Sequence, residues 1–173
     1  SGLGEEGSPS NADWTVESNQ NGARLGFPVS TAGDVNGDGY ADVLVGAHLY
    51  DNGETDEGAV FLYFGSASGL SLTPDWIGES NQVDARYGQS VSTAGDVNND
   101  GYSDIIIGST YYDNPLLDVG KAYVYYGSEA GPSNTADWTV EGAQASANMT
   151  YNYGVATAGD INEDGYSDVL IGS

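Results

Sequence analysis

Asp34-Val-Asn36-Gly-Asp38-Gly39-Tyr40-Ala-Asp42 runs directly into the apolar stretch Val43-Leu44-Val45-Gly46. The pairing recurs as Asp96-Val-Asn98-Asn-Asp100-Gly101-Tyr102-Ser-Asp104 before Ile105-Ile106-Ile107-Gly108, and as Asp160-Ile-Asn162-Glu-Asp164-Gly165-Tyr166-Ser-Asp168 before Val169-Leu170-Ile171-Gly172. Each loop offers side-chain oxygens at positions 1, 3, 5 and 9, a glycine at position 6 for a sharp turn, and the backbone carbonyl of Tyr40, Tyr102 or Tyr166 at position 7. Such an all-oxygen set suits a hard cation, and calcium is the expected ion at three sites. One such loop is most simply a turn, since Asp, Asn and Gly all favour turns. Three copies with the same donor positions favour metal binding.

The loop resembles the first half of an EF-hand, which closes with a bidentate Glu at position 12 and is flanked by helices. Position 12 here is Val45, Ile107 or Ile171. The following stretches are β-branched and too short for helices, so the cation is expected in a turn between two strands.

The 173 residues are enough for one ordinary domain. There are 26 acidic residues against 3 basic ones, a formal charge of −23, which disfavours nucleic acid and anionic membrane surfaces as partners. Three divalent ions would leave −17 of that −23, so cation sites explain only part of the acidity. With no cysteine there is neither a disulfide framework nor thiolate chemistry. No apolar run approaches the length of a membrane span and the N-terminal residues show no basic or hydrophobic signal pattern, so no membrane insertion is expected. Calcium sites of modest affinity stay filled where the ion is near millimolar, which places the chain outside the cell or on its surface. Asn148-Met-Thr150 fits a glycosylation acceptor.

Trp14, Trp76 and Trp138 lie 62 residues apart, each preceded by Asp, and a period this long signals a repeat architecture. Within one period a segment such as Val29 to Asp34 leads into the cation loop and its apolar strand. A polar loop from His48 to Gly58 follows, then a third strand (Ala59 to Phe64), a Gly/Ser turn and a Trp-led fourth strand (Trp76 to Glu79). Four short strands per unit, without helical periodicity, predict an all-β fold of four-stranded antiparallel propeller blades, about two and three-quarter blades of an incomplete ring. The expected divisions are 1–25, the last strand of a preceding blade with its turn at Ser1-Gly2-Leu3, then blades over 26–87 and 88–150, and the first two strands of another over 151–173. Second strands apolar on both faces suit burial between neighbouring blades, and each Trp is expected to pack there.

These features resemble FG-GAP repeats, the blades of integrin alpha-subunit propellers and of many bacterial secreted proteins. Tyr87-Gly88, Ser90-Val91 and Ala94-Gly95-Asp96 match the pattern well. In the first unit Phe27 instead follows Gly26. The third has Tyr151-Asn152 at the aligned place, Tyr153-Gly154 two residues on, and two extra residues after its Trp. The resemblance implies an extracellular adhesion or ligand-binding module, recognising a protein or glycan on the face opposite the cation loops. That face collects the varied loops Asp51 to Glu57 and Asp113 to Asp118, with Glu54, Asp56 and Glu57 as candidate contacts.

Other readings are a surface-layer or filament protein joined blade to blade, a lectin, and the non-catalytic propeller region of a secreted hydrolase. Units that begin and end mid-blade imply self-association or pairing with the remainder of a longer chain. No catalytic residue is expected, because the single histidine, His48, ends an apolar strand, no nucleophile elbow occurs, and the regular carboxylates belong to the cation loops.

Overall fold

The computed structural model describes residues 12–173, so the turn expected at Ser1-Gly2-Leu3 lies outside the described residues. Ten strands form three antiparallel sheets: β1 (Val29–Gly33), β2 (Asp42–Ala47), β3 (Ala59–Tyr63) and β4 (Trp76–Glu79) make the first. The second comprises β5 (Tyr87–Gly95), β6 (Asp104–Ser109), β7 (Lys121–Tyr125) and β8 (Trp138–Glu141), and the third β9 (Val155–Gly159) and β10 (Asp168–Ile171). Strand order follows the chain in both four-stranded sheets, as expected of meanders with short connections. The sheets do not close into a ring.

β2 pairs on both sides, Val45 facing Val29 in β1 and Phe61 in β3, while β6 matches it with Ile107 facing Val91 and Tyr123. Alternation along these strands then supplies two buried faces. Leu44, Val60 and Leu62 meet Ile105, Ile107, Tyr123 and Tyr125 between the first two sheets. Ile106, Ala122 and Val124 pack toward Val155, Val169 and Ile171 of the third. Each fully buried Ile or Leu contributes about 1.5–3 kcal/mol, which is why neither face of β2 or β6 carries an outward polar set.

Trp76 packs between the first two sheets and Trp14 against the first, whereas Trp138, expected to do the same, is 44% exposed. Trp76 meets the Tyr125 ring edge-on at 5.0 Å and donates its indole N–H to Ser133 O at 3.1 Å. Trp14 repeats both contacts one period earlier, with Tyr63 at 5.0 Å and Ser71 O at 2.8 Å. The expected strand at Trp14 does not form. A fourth strand pairs with the third strand of its own sheet, and none precedes Trp14 among the described residues.

The third unit absorbs its extra residues just before β9. Thr150 donates to Gly172 O and Gly172 to Gly154 O, the pattern that Gly26, Gly46 and Pro28 make in the first unit. Three residues, Tyr151 to Tyr153, therefore bulge where Phe27 stands alone. Thr150 occupies the glycine position at φ 75° and is wholly buried. Asn148 Nδ2 donates to Ser146 O at 3.0 Å, and the other two residues of the acceptor triplet, Met149 and Thr150, are buried.

Candidate metal centre

Each cation loop is a turn between the first and second strands of its blade, and the three make the same contacts. In the first, Asp38 N–H donates to both Asp34 Oδ1 (3.0 Å) and Asn36 Oδ1 (3.1 Å), so two expected ligand oxygens converge on one point. Gly39 N–H donates to Asp34 Oδ2 at 2.8 Å, and Tyr40 N–H to Asp38 Oδ1 at 2.9 Å. The loop of Asp96, Asn98, Asp100 and Tyr102 repeats these contacts at 2.9–3.1 Å. That of Asp160, Asn162, Asp164 and Tyr166 does so at 2.8–3.1 Å.

The position-9 aspartates sit deeper. Asp42 is fully buried, accepting from Val35 N–H through Oδ2 and Gly65 N–H through Oδ1, both at 2.8 Å. Asp104 does the same with Val97 (2.7 Å) and Gly127 (2.8 Å), while Asp168 takes Ile161 N–H at 2.9 Å. Burial pushes the Asp42 carboxyl above its ordinary range and that of Asp104 up to about 6. In both cases it outweighs the two N–H donors, and the neighbouring loop carboxylates add to the rise.

The position-1 and position-3 oxygens converge, but no three acidic or histidine side chains among the described residues are gathered into a ready cluster. Like charges repel, and the loop's own N–H groups hold several of the carboxylate oxygens. The donor set nevertheless fits a hard cation: it is oxygen only, and a carboxylate has about four lone-pair positions, so oxygens that accept one N–H keep capacity for a metal.

Several supporting residues carry no sign of their role in the nine-residue motif. Ser103, at position 8, accepts Asp34 N–H through Oγ at 3.1 Å and returns its own N–H to Asp34 O at 2.9 Å, tying the second loop to the first. Ser167 ties the third loop to Asp96 in the same way, at 3.2 and 2.8 Å. Gly33 and Gly95 allow this approach, since a Cβ at either would run into the serine. Position 8 of the first loop is Ala41, so only comparison of the copies could have flagged the serines. The Asp of each Asp-Trp pair also works: Asp75 Oδ2 takes Phe64 N–H and Asp137 Oδ2 takes Tyr126 N–H, both at 2.8 Å.

At the opposite end of the blades, Gln20 exchanges hydrogen bonds with the Asp51 backbone, and Gln82 with that of Asp113. These clamps bring together the loops before the first strand and after the second. Glu57, expected among the exposed contacts of that face, is fully buried instead. It accepts N–H groups from Asn52 (2.9 Å), Glu54 (3.1 Å) and Asn81 (3.1 Å), so it braces the loop and cannot meet a ligand. His48 is buried as well, its Nδ1–H donating to Phe27 O at 3.0 Å.

The sequence model of the FG-GAP repeat matches residues 29–63 and 87–125, spans that contain the first two cation loops and the first three strands of each four-stranded sheet. The chain carries FG-GAP repeats. Integrin alpha-6 of Gallus gallus is similar to it, 32% identical over 153 residues, covering 86% of this chain. Integrin alpha-PS2 of Drosophila melanogaster is 32% identical over 171 residues and 92% of the chain. Integrin alpha-3 of Cricetulus griseus is 30% identical over 173 residues and 98% of the chain. The chain spans only 12–16% of the length of these relatives. Each four-stranded sheet, its first three strands lying within an FG-GAP match, is consistent with a propeller blade.

Proposed function

We propose that this chain is a calcium-stabilised, non-catalytic binding or adhesion module, working outside the cell or on its surface, with recognition on the face opposite the cation loops. The observation that carries the reading is the row of three equivalent oxygen-lined loops, tied to one another by Ser103 and Ser167. Calcium would be held by Asp34, Asn36, Asp38, the Tyr40 carbonyl and Asp42, and by the equivalent residues of the other two loops. A bound ion adds positive charge where the loop carboxylates repel one another and favours the ionised form of buried Asp42 and Asp104. This chain's part is to hold the oxygens in place through its N–H donors and to link the loops into one rigid edge.

A rigid edge of this kind frees the other end of the blades to vary, and Asp51 to Glu57 differs from Asp113 to Asp118 while the flanking strands agree. We take the ligand class to be a protein or, as a lectin would bind, a glycan. The test is attachment of the calcium-loaded protein to cells and to immobilised glycans. Changing Glu54 and Asp56 together should impair attachment while leaving the melting temperature unchanged, and Glu57 must be left intact. Loss of attachment only when Asp38 or Asp100 is changed would place function on the cation face instead.

A further inference from the structure

We propose that Val83, Leu116 and Leu117 form an apolar docking patch on the second blade, which takes a basic protein segment carrying an apolar stripe. The proposal rests on the binding-module reading above and adds the chemistry of the partner.

The patch stands on two turns that the fold ties together. Gln82 Nε2 donates to Asp113 O at 3.1 Å and Gln82 Oε1 accepts Asp113 N–H at 2.7 Å, so the turn carrying Val83 is clamped to the loop carrying Leu116 and Leu117. That loop is firmly held. Asp118 N–H donates to Asp113 Oδ1 at 2.6 Å, Asn114 N–H to Leu116 O at 3.1 Å, and Ser146 N–H to Leu117 O at 2.9 Å. Val83 is nevertheless 52%, Leu116 45% and Leu117 67% exposed. A single exposed leucine is ordinary, whereas several apolar side chains presented on clamped turns mark an interaction surface.

The first blade shows that the backbone does not require these side chains. One period of 62 residues earlier, Asn21, Glu54 and Thr55 stand in the places of Val83, Leu116 and Leu117. Gln20 makes the same clamp to Asp51, Asp56 N–H donates to Asp51 Oδ1 at 2.8 Å, and Asp84 N–H donates to Thr55 O at 2.8 Å as Ser146 N–H does to Leu117 O. One frame therefore carries three polar side chains in the first blade and three apolar ones in the second. All three positions change in the same direction, where an exposed apolar side chain adds nothing to the core.

Charge defines the partner. Asp84, Asp113 and Asp118 neighbour the three apolar residues along the chain, and among the described residues none of them makes an ion pair within 4.0 Å. The three basic residues of the chain do not neutralise them: Lys121 pairs with Glu141 at 3.0 Å, Arg86 stacks on the Tyr111 ring at 4.5 Å, and Arg24 belongs to the turn before the first strand. On a molecule of charge −23, an acid-flanked apolar patch complements a segment that is basic at its edges and apolar along its middle.

The experiment is calorimetric titration of the calcium-loaded protein with a blocked amphipathic peptide in which leucines recur at helical spacing between lysines. L116Q/L117T keeps the net charge and gives the loop the polar character it has in the first blade; it should weaken binding about tenfold with the melting temperature unchanged, and V83N should weaken it about threefold. W138Q should leave affinity unchanged, and a peptide with glutamate in place of lysine should not bind. Absence of binding to the unaltered protein, equal binding by L116Q/L117T, or as large a loss in W138Q overturns the proposal. Sedimentation of the unaltered protein with phosphatidylcholine vesicles that L116Q/L117T abolishes would make the patch a membrane contact and overturn it too. Cell attachment that survives L116Q/L117T but is lost on changing Glu54 and Asp56 also overturns it, while leaving the binding module standing.

Discussion

Asp38 and Asp104 occupy the same kind of loop yet should respond differently to substitution. Asp38 is exposed and accepts N–H groups within its own turn, so Asp38→Ala should change stability by no more than about 0.5 kcal/mol in chelator and remove one site in calcium. Asp104 satisfies two N–H groups at a fully buried position, and orphaning each costs about 1–3 kcal/mol. Asp104→Ala should therefore destabilise the chain by several kcal/mol even without metal; denaturant unfolding with and without calcium checks both. His48 supplies a pH dependence. Burial depresses its proton affinity, with both arginines adding to the effect, so its contribution is present above the ordinary histidine range and is lost as pH falls. His48→Gln should flatten the loss of stability between about pH 7 and pH 5 in a series of melting curves. At this scale the loop positions were legible in the sequence because repetition marks them. The bracing role of Glu57 was not, because the same position in the next blade is Val119, equally buried, and nothing local separates a braced acid from an exposed one.

Loop connects to loop through serine, and this coupling can be measured. Ser103→Ala removes the Oγ acceptor of Asp34 N–H but keeps the backbone bond, a loss of about 1 kcal/mol. Because Asp34 provides position 1 of the first site, calcium affinity there should fall about fivefold. Calorimetric titration checks this, and an unchanged isotherm would mean that the loops act independently. Strand order and the double burial of β2 and β6 were legible from unalternating Val/Leu/Ile runs, and the packing of Trp14 and Trp76 from their spacing, while Trp138 stays half exposed. The start of β9 was not: two extra residues shift the aromatic-glycine pair, and only the hydrogen bonds of Thr150 and Gly154 to Gly172 locate the bulge. The missing strand at Trp14 has a plain cause, since Trp14 packs as Trp76 does but no third strand lies beside it among the described residues.

Across the whole molecule, the seam between the second and third sheets is left open beyond β10. Trp138 is 44% exposed above Val97, Val124, Tyr126 and Val169, whereas Trp76 is 7% exposed beneath Tyr125. Leu170 is 56% and Ile161 70% exposed on the third sheet and its loop, and β10 has no outer partner among the described residues. Such a face and edge invite another blade, from a longer chain or a second copy. Sedimentation should show concentration-dependent association that Trp138→Gln weakens, and a monomer at every concentration would contradict this. Calcium stabilisation, on which the account chiefly rests, is tested most directly by the melting temperature of the intact chain in calcium and in excess chelator. At a free ion concentration a hundredfold above its dissociation constant, each filled site adds about 2.7 kcal/mol, so chelation should lower the melting temperature by several degrees or more. Superimposable melting curves in the two conditions would contradict the account.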